Sequence, residues 1–353
     1  MRTIALFLPN WVGDVVMATP AIRAVRQHFP SARLLAVCRP YVAATIEAAP
    51  WLDDVILFDK QGPRDRREVA VIRRLRREHV DAAVLFPNSI RSAAVAALGR
   101  CRRRIGIDLY GRALLLTDAL KPVRDANGWR IPSPTIDDYN RLVRTLGIPD
   151  PGHRMELFTT PADEAAADHV WADLGLHGSS EVVGLNSSGA FGAAKLWPTE
   201  YFADLARSLV DRRGCGVLVV CGPNERATAR DIVRLAGRPG VVSLADRAVS
   251  LGLTKACVRR LDLFVTTDSG PRHFAAAFDR PVVSLFGPTF IEWTETYFAR
   301  GINLQKKVPC GPCQLRVCPL DHRCMRELSV AEVLASSEDL LGRFPVRRLR
   351  HAG

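Results

Sequence analysis

The 353-residue sequence has no long hydrophobic run. Charged residues, glycines and prolines interrupt every apolar stretch before it reaches the roughly 18 to 20 residues that a transmembrane helix needs. The N-terminus also lacks the features of a signal peptide, because Met1, Arg2 and Thr3 lead into a short strand-like run that ends at Pro9, with no small-residue cleavage site. We therefore expect a protein that does not span a membrane and that is located in the cytoplasm.

Several common nucleotide-binding and nucleic-acid-binding motifs are absent as well. No G-x-G-x-x-G follows an early strand, which argues against an NAD-dependent oxidoreductase, and no G-x-x-x-x-G-K-[ST] occurs, which excludes a P-loop. No helix-turn-helix, zinc-finger or aromatic RNA-binding motif is recognisable. A basic nucleic-acid-binding protein stays an alternative only because of the charge.

Lysine is scarce, whereas arginine is abundant. The 49 cationic side chains include only six lysines and outnumber the 37 acidic ones, which gives a formal net charge of +12. This excess is typical of proteins with an anionic partner, such as nucleic acid, a phosphorylated glycan or a membrane surface, although part of it can reflect a general bias toward arginine. With 48% hydrophobic and 24% charged residues the composition is otherwise that of a globular protein, and the length predicts two domains.

Cysteine is present in an odd number. Nine cysteines without an export signal favour reduced thiols over disulfides. Cys310, Cys313, Cys318 and Cys324 fall within fifteen residues, with His322 close by. The C-x-x-C spacing suits zinc, but the second pair of cysteines lacks that spacing. A structural zinc site and a packed, cysteine-rich loop therefore both remain open.

Short apolar runs alternate with amphipathic stretches twice along the chain. This alternation predicts parallel strands that are joined by right-handed helical crossovers and covered on both faces. The predicted strands lie at 4–8, 34–38, 55–58, 82–86 and 104–107, and again at 182–186, 217–221, 241–244, 263–267 and 282–286. The predicted helices lie at 15–29, 40–48, 66–79, 89–98, 162–174, 199–213, 224–236, 249–258, 271–278 and 330–341.

The fold class that follows is α/β, with two Rossmann-like doubly wound domains facing a central cleft. The stretch from Leu146 to Pro161 is rich in proline, glycine and aspartate and predicts the hinge. We place an N-terminal domain at 1–155, a C-terminal domain at 156–328, and a C-terminal helix with a basic tail at 329–353. Because ligands of open α/β sheets bind at the carboxyl ends of the strands, the loops at those ends are the candidate sites.

The loop after the first strand carries Asn10, Gly13 and Asp14. A carboxylate at this strand end, near a helix N-terminus, is stabilised as an anion and can act as a base. Asp14 can equally be a simple helix cap, and its spacing alone favours the cap.

A second loop, residues 186–198, follows the first strand of the second half and contains Ser187, Ser188 and Lys195. Small residues let backbone N–H groups approach a phosphate, and a lysine supplies charge for a diphosphate. The alternative is a flexible surface loop in which Pro198 begins the next helix. The rarity of lysine in this chain favours phosphate binding.

A third loop, residues 266–273, contains Asp268, Ser269, Gly270 and His273. Asp268 or Ser269 can cap the following helix, whose free N–H groups would then face an anion. A lone histidine at such a place is more often structural than catalytic.

Together, these loops resemble the ADP-heptose:lipopolysaccharide heptosyltransferases of glycosyltransferase family 9, and most closely their heptosyltransferase II branch. The resemblance covers nearly the whole chain. It is carried by PNWVGDVVMATPAI at 9–22, NSSGAFGAAKLWP at 186–198, TTDSGPRHFAAA at 266–277, VVSLFGPT at 282–289 and CGPCQLRVCPLDHRCM at 310–325. It implies a GT-B architecture in which the N-terminal domain holds the acceptor and the C-terminal domain holds the nucleotide sugar.

The resemblance also implies roles for individual residues. Asp14 would be the general base toward the acceptor hydroxyl, with Asn10 and Gly13 on the acceptor side. Lys195 would neutralise the ADP phosphates or contact the sugar. The other residues that the resemblance assigns to the donor are Ser187 and Ser188 in the phosphate loop, Glu225 at the ribose, and Asp268, Ser269, Gly270 and His273.

The chain departs from the family pattern at three places. It has Thr267 where the family often has asparagine, Arg272 where it often has methionine, and Ser187-Ser188 where it often has Pro-Gly. These changes put the choice of donor in doubt. The chain also has no D-x-D motif, which is typical of a transferase that stabilises its leaving diphosphate with helix ends and cations, so we expect neither a metal nor a cofactor to be required.

The predicted function is an inverting transfer of heptose from ADP-heptose to the anionic inner core of lipopolysaccharide, peripheral to the inner membrane and without a nucleic-acid partner. A family 9-type transferase with another nucleotide sugar or glycan acceptor is the alternative. Much of the arginine excess falls at 64–130, in the half assigned to the acceptor. We therefore predict that Arg73, Arg74, Arg76 and Arg77 bind the acidic acceptor.

Overall fold

The computed structural model describes residues 1–189 and 191–345, and these residues form two compact units. The first unit contains residues 1–158 and 292–297, and the second contains residues 159–291 and 298–345. The last residues of the predicted basic tail, 346–353, and Ala190 in the second loop lie outside the described residues.

Each unit is built on a six-stranded parallel sheet with helical crossovers. The strands of the first unit are β1 Thr3–Phe7, β2 Arg33–Cys38, β3 Asp54–Leu57, β4 Ala82–Leu85, β5 Arg103–Ile107 and β6 Asp118–Leu120. Those of the second are β7 Val182–Asn186, β8 Gly216–Val220, β9 Val241–Ser243, β10 Leu263–Thr267, β11 Val282–Phe286 and β12 Gly301–Gln305. The strand orders are β3-β2-β1-β4-β5-β6 and β9-β8-β7-β10-β11-β12, so the two sheets have the same doubly wound topology. The predicted α/β class is confirmed.

The central strands are buried on both faces, which explains why their apolar runs are visible in the sequence. Every residue of β1, β7, β8, β10 and β11 is buried. The two strands that the sequence did not reveal, β6 and β12, are edge strands with exposed or half-buried residues. An edge strand needs no continuous apolar run, because one side of its backbone and much of its surface contact solvent.

The helices connect these strands as expected, with four differences. In the first unit they are α1 Val12–Met17, α2 Thr19–His28, α3 Pro40–Ala43, α4 Glu68–Arg77, α5 Ile90–Leu98 and α6 Thr135–Arg144. In the second they are α7 Pro161–Asp173, α8 Thr199–Arg213, α9 Arg226–Ala236, α10 Leu251–Arg259, α11 Arg272–Ala277, α12 Arg323–Arg326 and α13 Val330–Arg343. The sequence did not reveal α6 or the four-residue α12, and α3 is shorter than the predicted 40–48.

The single helix predicted at 15–29 is in fact two helices that meet at Ala18. Pro20 has no N–H to donate to the carbonyl of Val16, which a continuous helix would require. The Thr19 hydroxyl donates to that carbonyl instead, at 2.7 Å. The proline therefore ends α1 close to the first strand and keeps that helix to six residues.

Two segments pack on elements of their own unit that are distant from them in sequence. Residues 292–297 belong to the first unit, where Tyr297 Oη donates to Asp137 of α6 at 2.7 Å and Thr135 donates to the carbonyl of Trp293 at 2.8 Å. The C-terminal helix α13 packs on α8, β10 and β11 of the second unit, and its N-terminus is held by a capping box between Ser329 and Glu332. Among the helices of the described chain, none combines the length and the apolar character needed to cross a bilayer.

Candidate functional site

Both sheets reverse their strand order beside their first strand, and the predicted loops lie at these two points. In the second unit the reversal falls between β7 and β10, which end at Asn186 and Thr267. In the first unit it falls between β1 and β4. Crevices at the carboxyl ends of strands at such a point are the usual ligand sites of open α/β sheets.

In the second unit, the structure brings Lys195 and Asp268 together. Lys195 Nζ donates to Asp268 Oδ2 at 2.5 Å and to the Asp268 carbonyl at 3.1 Å. Thr289, after β11, donates to the same carboxylate oxygen at 2.7 Å. Burial alone raises the pKa of Asp268, but the charges of Lys195 and Arg272 outweigh it, so that the pKa lies below the ordinary value. Asp268 is therefore a buried, ionised anchor for the lysine.

Arg272 and His273 extend this cluster. Arg272 Nε lies 3.7 Å from Asp268 Oδ1 and donates to His273 Nε2 at 3.3 Å. Burial, followed by the charges of Arg272 and Lys195, holds the pKa of His273 well below its ordinary value. His273 is therefore neutral, and the two cations beside one carboxylate leave the cluster with a net positive charge.

The serines of the predicted phosphate loop differ in their surroundings. Ser187 is 5% exposed, and its hydroxyl has no hydrogen-bond partner among the described residues. The Ser188 carbonyl accepts from the Thr267 hydroxyl, which ties the loop to the end of β10. Asn186 Nδ2 donates to Ser269 Oγ at 2.9 Å. An unpaired buried hydroxyl costs free energy, so Ser187 is suited to receive a polar ligand group.

Two details of the third loop differ from the sequence prediction. Helix α11 begins only at Arg272, has six residues, and is preceded by Pro271 as its N-cap. Neither Asp268 nor Ser269 caps it, because their side chains bind Lys195 and Asn186 instead. The Gly270 carbonyl accepts from the His273 N–H at 3.1 Å.

Glu225 is held apart from this cluster. It is the N-cap residue of α9, and its carboxylate accepts from the Gly222 N–H at 2.7 Å. Among the described residues it makes no hydrogen bond or ion pair with Lys195, Asp268 or His273. Its predicted contact with the ribose stays a prediction.

In the first unit, Asp14 lies in the first turn of α1, directly beyond the end of β1. The N-cap is Trp11 and makes no side-chain cap hydrogen bond, so the interpretation of Asp14 as the cap residue is wrong. Asp14 is half-buried, and Gly13 beside it is buried. Burial and then the Asp14 carboxylate raise the pKa of Tyr139 well above its ordinary value, which means that the carboxylate lies near that phenol.

A cavity of about 310 Å³ opens at the same strand ends of the first unit. Three exposed cations line it, Arg39 after β2, Lys60 after β3 and Arg91 in the first turn of α5, and Asn10 lines it too. The Arg91 guanidinium also lies 3.5 Å from the Glu68 carboxylate. No acidic side chain of the described chain lines the cavity. The cavity is therefore suited to an anionic group.

The arginines that the sequence assigned to the acceptor lie at the opposite edge of this sheet. Helix α4 runs back from the carboxyl end of β3 to the start of β4, so its last turn reaches the amino edge. Glu78, just after α4, accepts from Arg33 at the start of β2 and from Arg74 at 2.6 Å. Arg73, Arg76 and Arg77 share this position and are poor candidates for a site at the carboxyl edge.

The cysteine-rich stretch lies mostly at the surface, and its C-terminal end is buried. Cys310 and Cys313 are exposed, Cys318 is half-buried and Cys324 is buried. In the described parts of the chain, no three histidine, cysteine, aspartate or glutamate side chains are arranged to hold a metal ion. Burial and then the charges of Cys318, Cys310 and Cys313 raise the pKa of Cys324, so the four thiols lie near one another. The structural zinc site and the packed, cysteine-rich loop both stay predictions.

The sequence did not reveal some residues of the two sites, because their partners are remote in the chain. Thr289 and Arg272 lie in the motifs that carry the family resemblance. Their contacts with Asp268 were not visible in the sequence, because they depend on how the ends of neighbouring strands pack. Arg39, Lys60 and Arg91 each follow a strand or begin a helix, and that shared position was the available signal.

Comparisons with known proteins agree with this arrangement. The Campylobacter jejuni subsp. jejuni serotype O:2 lipooligosaccharide heptosyltransferase 2 is 23% identical over 347 residues, which are 96% of this chain and 98% of the relative. The Salmonella typhimurium lipopolysaccharide heptosyltransferase 2 is 26% identical over 323 residues, 84% of this chain and 86% of the relative. The solved structure of the Escherichia coli ADP-heptose lipopolysaccharide heptosyltransferase II matches with a TM-score of 0.79 at 22% identity, covering 97% of this chain and 99% of that one. The expected GT-B fold is thereby confirmed.

The profile of glycosyltransferase family 9 (heptosyltransferase) matches residues 68–323. This range covers more than half of the chain and includes the second and third loops and the cysteine-rich stretch up to Arg323. The resemblance drawn from the motifs is confirmed, and the chain belongs to glycosyltransferase family 9, the heptosyltransferases.

Proposed function

We propose that this enzyme transfers heptose from ADP-heptose to the inner core of lipopolysaccharide, with inversion at the anomeric carbon. The observation that carries the proposal is the match to the heptosyltransferase family together with relatives of that name that align with nearly the whole chain. The positive cluster in the second unit and the cationic cavity in the first provide chemistry for the two substrates.

The cluster around Lys195 suits the diphosphate of the donor. Two of the three Lys195 N–H groups go to Asp268, which leaves a third donor for a phosphate oxygen. Arg272 adds positive charge, and the unpaired Ser187 hydroxyl adds a hydrogen-bond donor. When the bond between the anomeric carbon and the diphosphate oxygen breaks, the negative charge that develops on ADP is stabilised by these groups.

Asp14 suits the role of general base. It removes the proton from the acceptor hydroxyl while that oxygen attacks the anomeric carbon from the face opposite ADP. Asp14 lies in the first turn of α1, where the helix dipole favours negative charge. Asn10 and Gly13 shape the same loop on the acceptor side.

The cavity bounded by Arg39, Lys60 and Arg91 suits the acidic groups of the acceptor. Guanidinium and ammonium groups form charge-assisted hydrogen bonds with phosphate and carboxylate oxygens. This assignment replaces the arginines of α4 as the acceptor-binding cations. It depends on the acceptor being anionic, as the inner core is.

No metal or cofactor enters this proposal. The side chains of Lys195 and Arg272 supply positive charge where a metal would otherwise act. The reaction with a chelator present tests this point directly.

We also propose that the protein works in the cytoplasm at the surface of the inner membrane, where its lipid-linked acceptor is located. The net charge of +12 supports attraction to an anionic surface. Co-sedimentation with vesicles that contain anionic lipid should decrease as salt is raised. Equal binding to neutral and anionic vesicles would contradict this part of the proposal.

The donor is tested by thermal shift with ADP-heptose, UDP-sugars, GDP-sugars, NAD and a DNA duplex. The proposal expects stabilisation by ADP and ADP-heptose, and little effect from the other ligands. Stabilisation by another nucleotide sugar alone would favour the alternative family 9-type transferase. Stabilisation by DNA alone would contradict the proposal that ADP-heptose is the ligand.

A further inference from the structure

The cysteine-rich segment, residues 310–325, has little regular structure of its own. Within it, the one helix is the four-residue α12, and Cys310 and Cys313 are exposed. The segment nevertheless contacts two loops of the second unit, residues 191–195 and 287–289. These loops supply Lys195 and Thr289, the side chains that bind the Asp268 carboxylate from two directions.

The segment holds residues 191–195, here called the lysine loop, through the backbone N–H and the carbonyl of Ala194. The Ala194 N–H donates to the Arg316 carbonyl at 3.0 Å. His322 Nε2 lies 2.7 Å from the Ala194 carbonyl, and since a carbonyl only accepts, this nitrogen carries the proton. Ala194 directly precedes Lys195, so these two bonds fix the backbone from which the lysine side chain extends.

The same loop approaches the segment very closely at Gly192. A Cβ atom at this position would lie 2.3 Å from the Arg316 carbonyl oxygen, which is closer than any real contact, so only glycine fits. The Phe191 ring adds a further contact, with the Lys195 ammonium 4.8 Å and the Arg316 guanidinium 5.5 Å from its centroid.

The segment holds the loop of residues 287–289 as well. The Gln314 N–H donates to the Pro288 carbonyl at 2.7 Å. A Cβ at Gly287 would lie 2.4 Å from Met325 Sδ and 3.2 Å from Cys324 Sγ, so the buried end of the segment packs on this loop. Thr289, which binds Asp268, lies two residues beyond Gly287.

We propose that the cysteine-rich segment positions Lys195 and Thr289 around Asp268 for the donor diphosphate, and that His322 is a positioning residue for the lysine loop. The inference rests on the proposed function for the identity of the ligand. The contact between His322 and the loop exists independently of it, because it is made by residues of the chain itself.

The test compares His322→Ala with His322→Gln, since a glutamine side chain can place an N–H donor near the position of Nε2. With His322→Ala, we expect kcat/KM for ADP-heptose to fall about fivefold to tenfold, the effect of one lost hydrogen bond, while the KM for the acceptor stays unchanged. The Ala194 amide should exchange with solvent faster. His322→Gln should keep kcat/KM for the donor within about twofold of the native enzyme.

Arg323→Ala is the matched control, because Arg323 is adjacent to His322 and its side chain pairs only with Asp321 among the described residues. It should leave the donor kcat/KM and Ala194 exchange unchanged. Gly192→Ala provides a second variant that disturbs the same contact from the loop side, and it decides the question if His322→Ala does not fold. Native donor kinetics and native Ala194 exchange in His322→Ala and Gly192→Ala would overturn the inference.

The outcomes separate this inference from the proposed function. If the native enzyme neither binds ADP nor transfers heptose, the proposed function fails, but Ala194 exchange in the His322 variants still reports on the contact. If the native enzyme transfers heptose and the His322 variants do so equally well, only the positioning role fails.

Discussion

Asp268 shows how one residue depends on three others that are far apart in sequence. Its carboxylate, 6% exposed at the side chain, binds Lys195 and Thr289 and lies 3.7 Å from Arg272. A buried carboxylate is tolerated here because its charge is paired and hydrogen-bonded. The sequence named Asp268 and Lys195 because both lie in strand-end loops, but it did not predict that they bind each other.

Removing the charge of Asp268 should therefore destabilise the fold. We expect Asp268→Asn to lower the free energy of unfolding by about 3–5 kcal/mol, because two buried cations lose their counter-charge. Urea unfolding at pH 7 measures the effect. Asp246→Asn is the control, since the Arg230–Asp246 pair is 54% and 74% exposed and should contribute little to stability. Similar losses in both variants would argue against a special role of the buried pair.

Asp14 tests the chemistry of the acceptor side. Asp14→Asn should lower the transfer rate by about 100-fold or more, as expected for loss of a general base, and should leave ADP binding unchanged. Initial rates and calorimetry with ADP are the two measurements. Glu47→Gln, which changes an exposed carboxylate of the same unit, serves as the control. A near-native rate in Asp14→Asn would exclude Asp14 as the base.

His273 should make stability depend on pH. Because burial and the neighbouring cations lower its pKa in the folded protein, the unfolded chain binds a proton first as the pH falls below about 6.5. The free energy of unfolding is therefore unaffected by His273 above that pH. Below it, the free energy of unfolding falls by about 1.4 kcal/mol per pH unit until the folded-state pKa of His273 is reached.

Urea unfolding between pH 7 and pH 5 checks this dependence. His273→Gln should have a shallower profile in this range, whereas His177→Gln, at an exposed histidine, should keep the native profile. Parallel profiles for the native protein and His273→Gln would mean that His273 is not a buried neutral histidine.

At the scale of elements, the sequence predicted the strands that are buried and missed those that are not. β7 and β10 have the predicted bounds because all their residues are buried and apolar runs mark them. β12 has only exposed and half-buried residues, and it is a strand because it pairs with β11. Helix α6 was visible in principle, since Ile136, Tyr139 and Val143 share one buried face.

The direction of the helices also decides which cations can reach a ligand. The first turn of α5 and the loops after β2 and β3 lie at the carboxyl edge, whereas the last turn of α4 lies at the amino edge. Counting arginines along the sequence does not distinguish the two edges, and for this reason the prediction on Arg73 and its neighbours is not supported.

A pair of double variants with equal charge change tests this distinction. Arg39→Ala with Lys60→Ala should raise the KM for the acceptor about tenfold, because charge-assisted hydrogen bonds are lost, and should leave ADP binding unchanged. Arg73→Ala with Arg77→Ala removes the same charge at the other edge and should have little effect. Equal effects of the two double variants would mean that only net charge matters.

At the scale of the whole molecule, both units have the same strand order but different functional side chains at the carboxyl ends of their strands. One unit has a carboxylate and a cationic cavity, and the other has a lysine–aspartate pair with a neutral histidine. The sequence predicted both units from hydrophobic pattern and predicted the family from motifs. It could not predict the contacts of residues 292–297 with α6, because these depend on tertiary packing of distant segments.

The most direct test of the central claim is a transfer assay with mass detection of the product. Purified enzyme is incubated with ADP-heptose and a lipopolysaccharide inner-core acceptor, with and without a chelator. We predict that the acceptor gains one heptosyl unit for each ADP released, at the same rate in both conditions. Absence of a heptosylated product, or transfer of a different sugar only, would contradict the account.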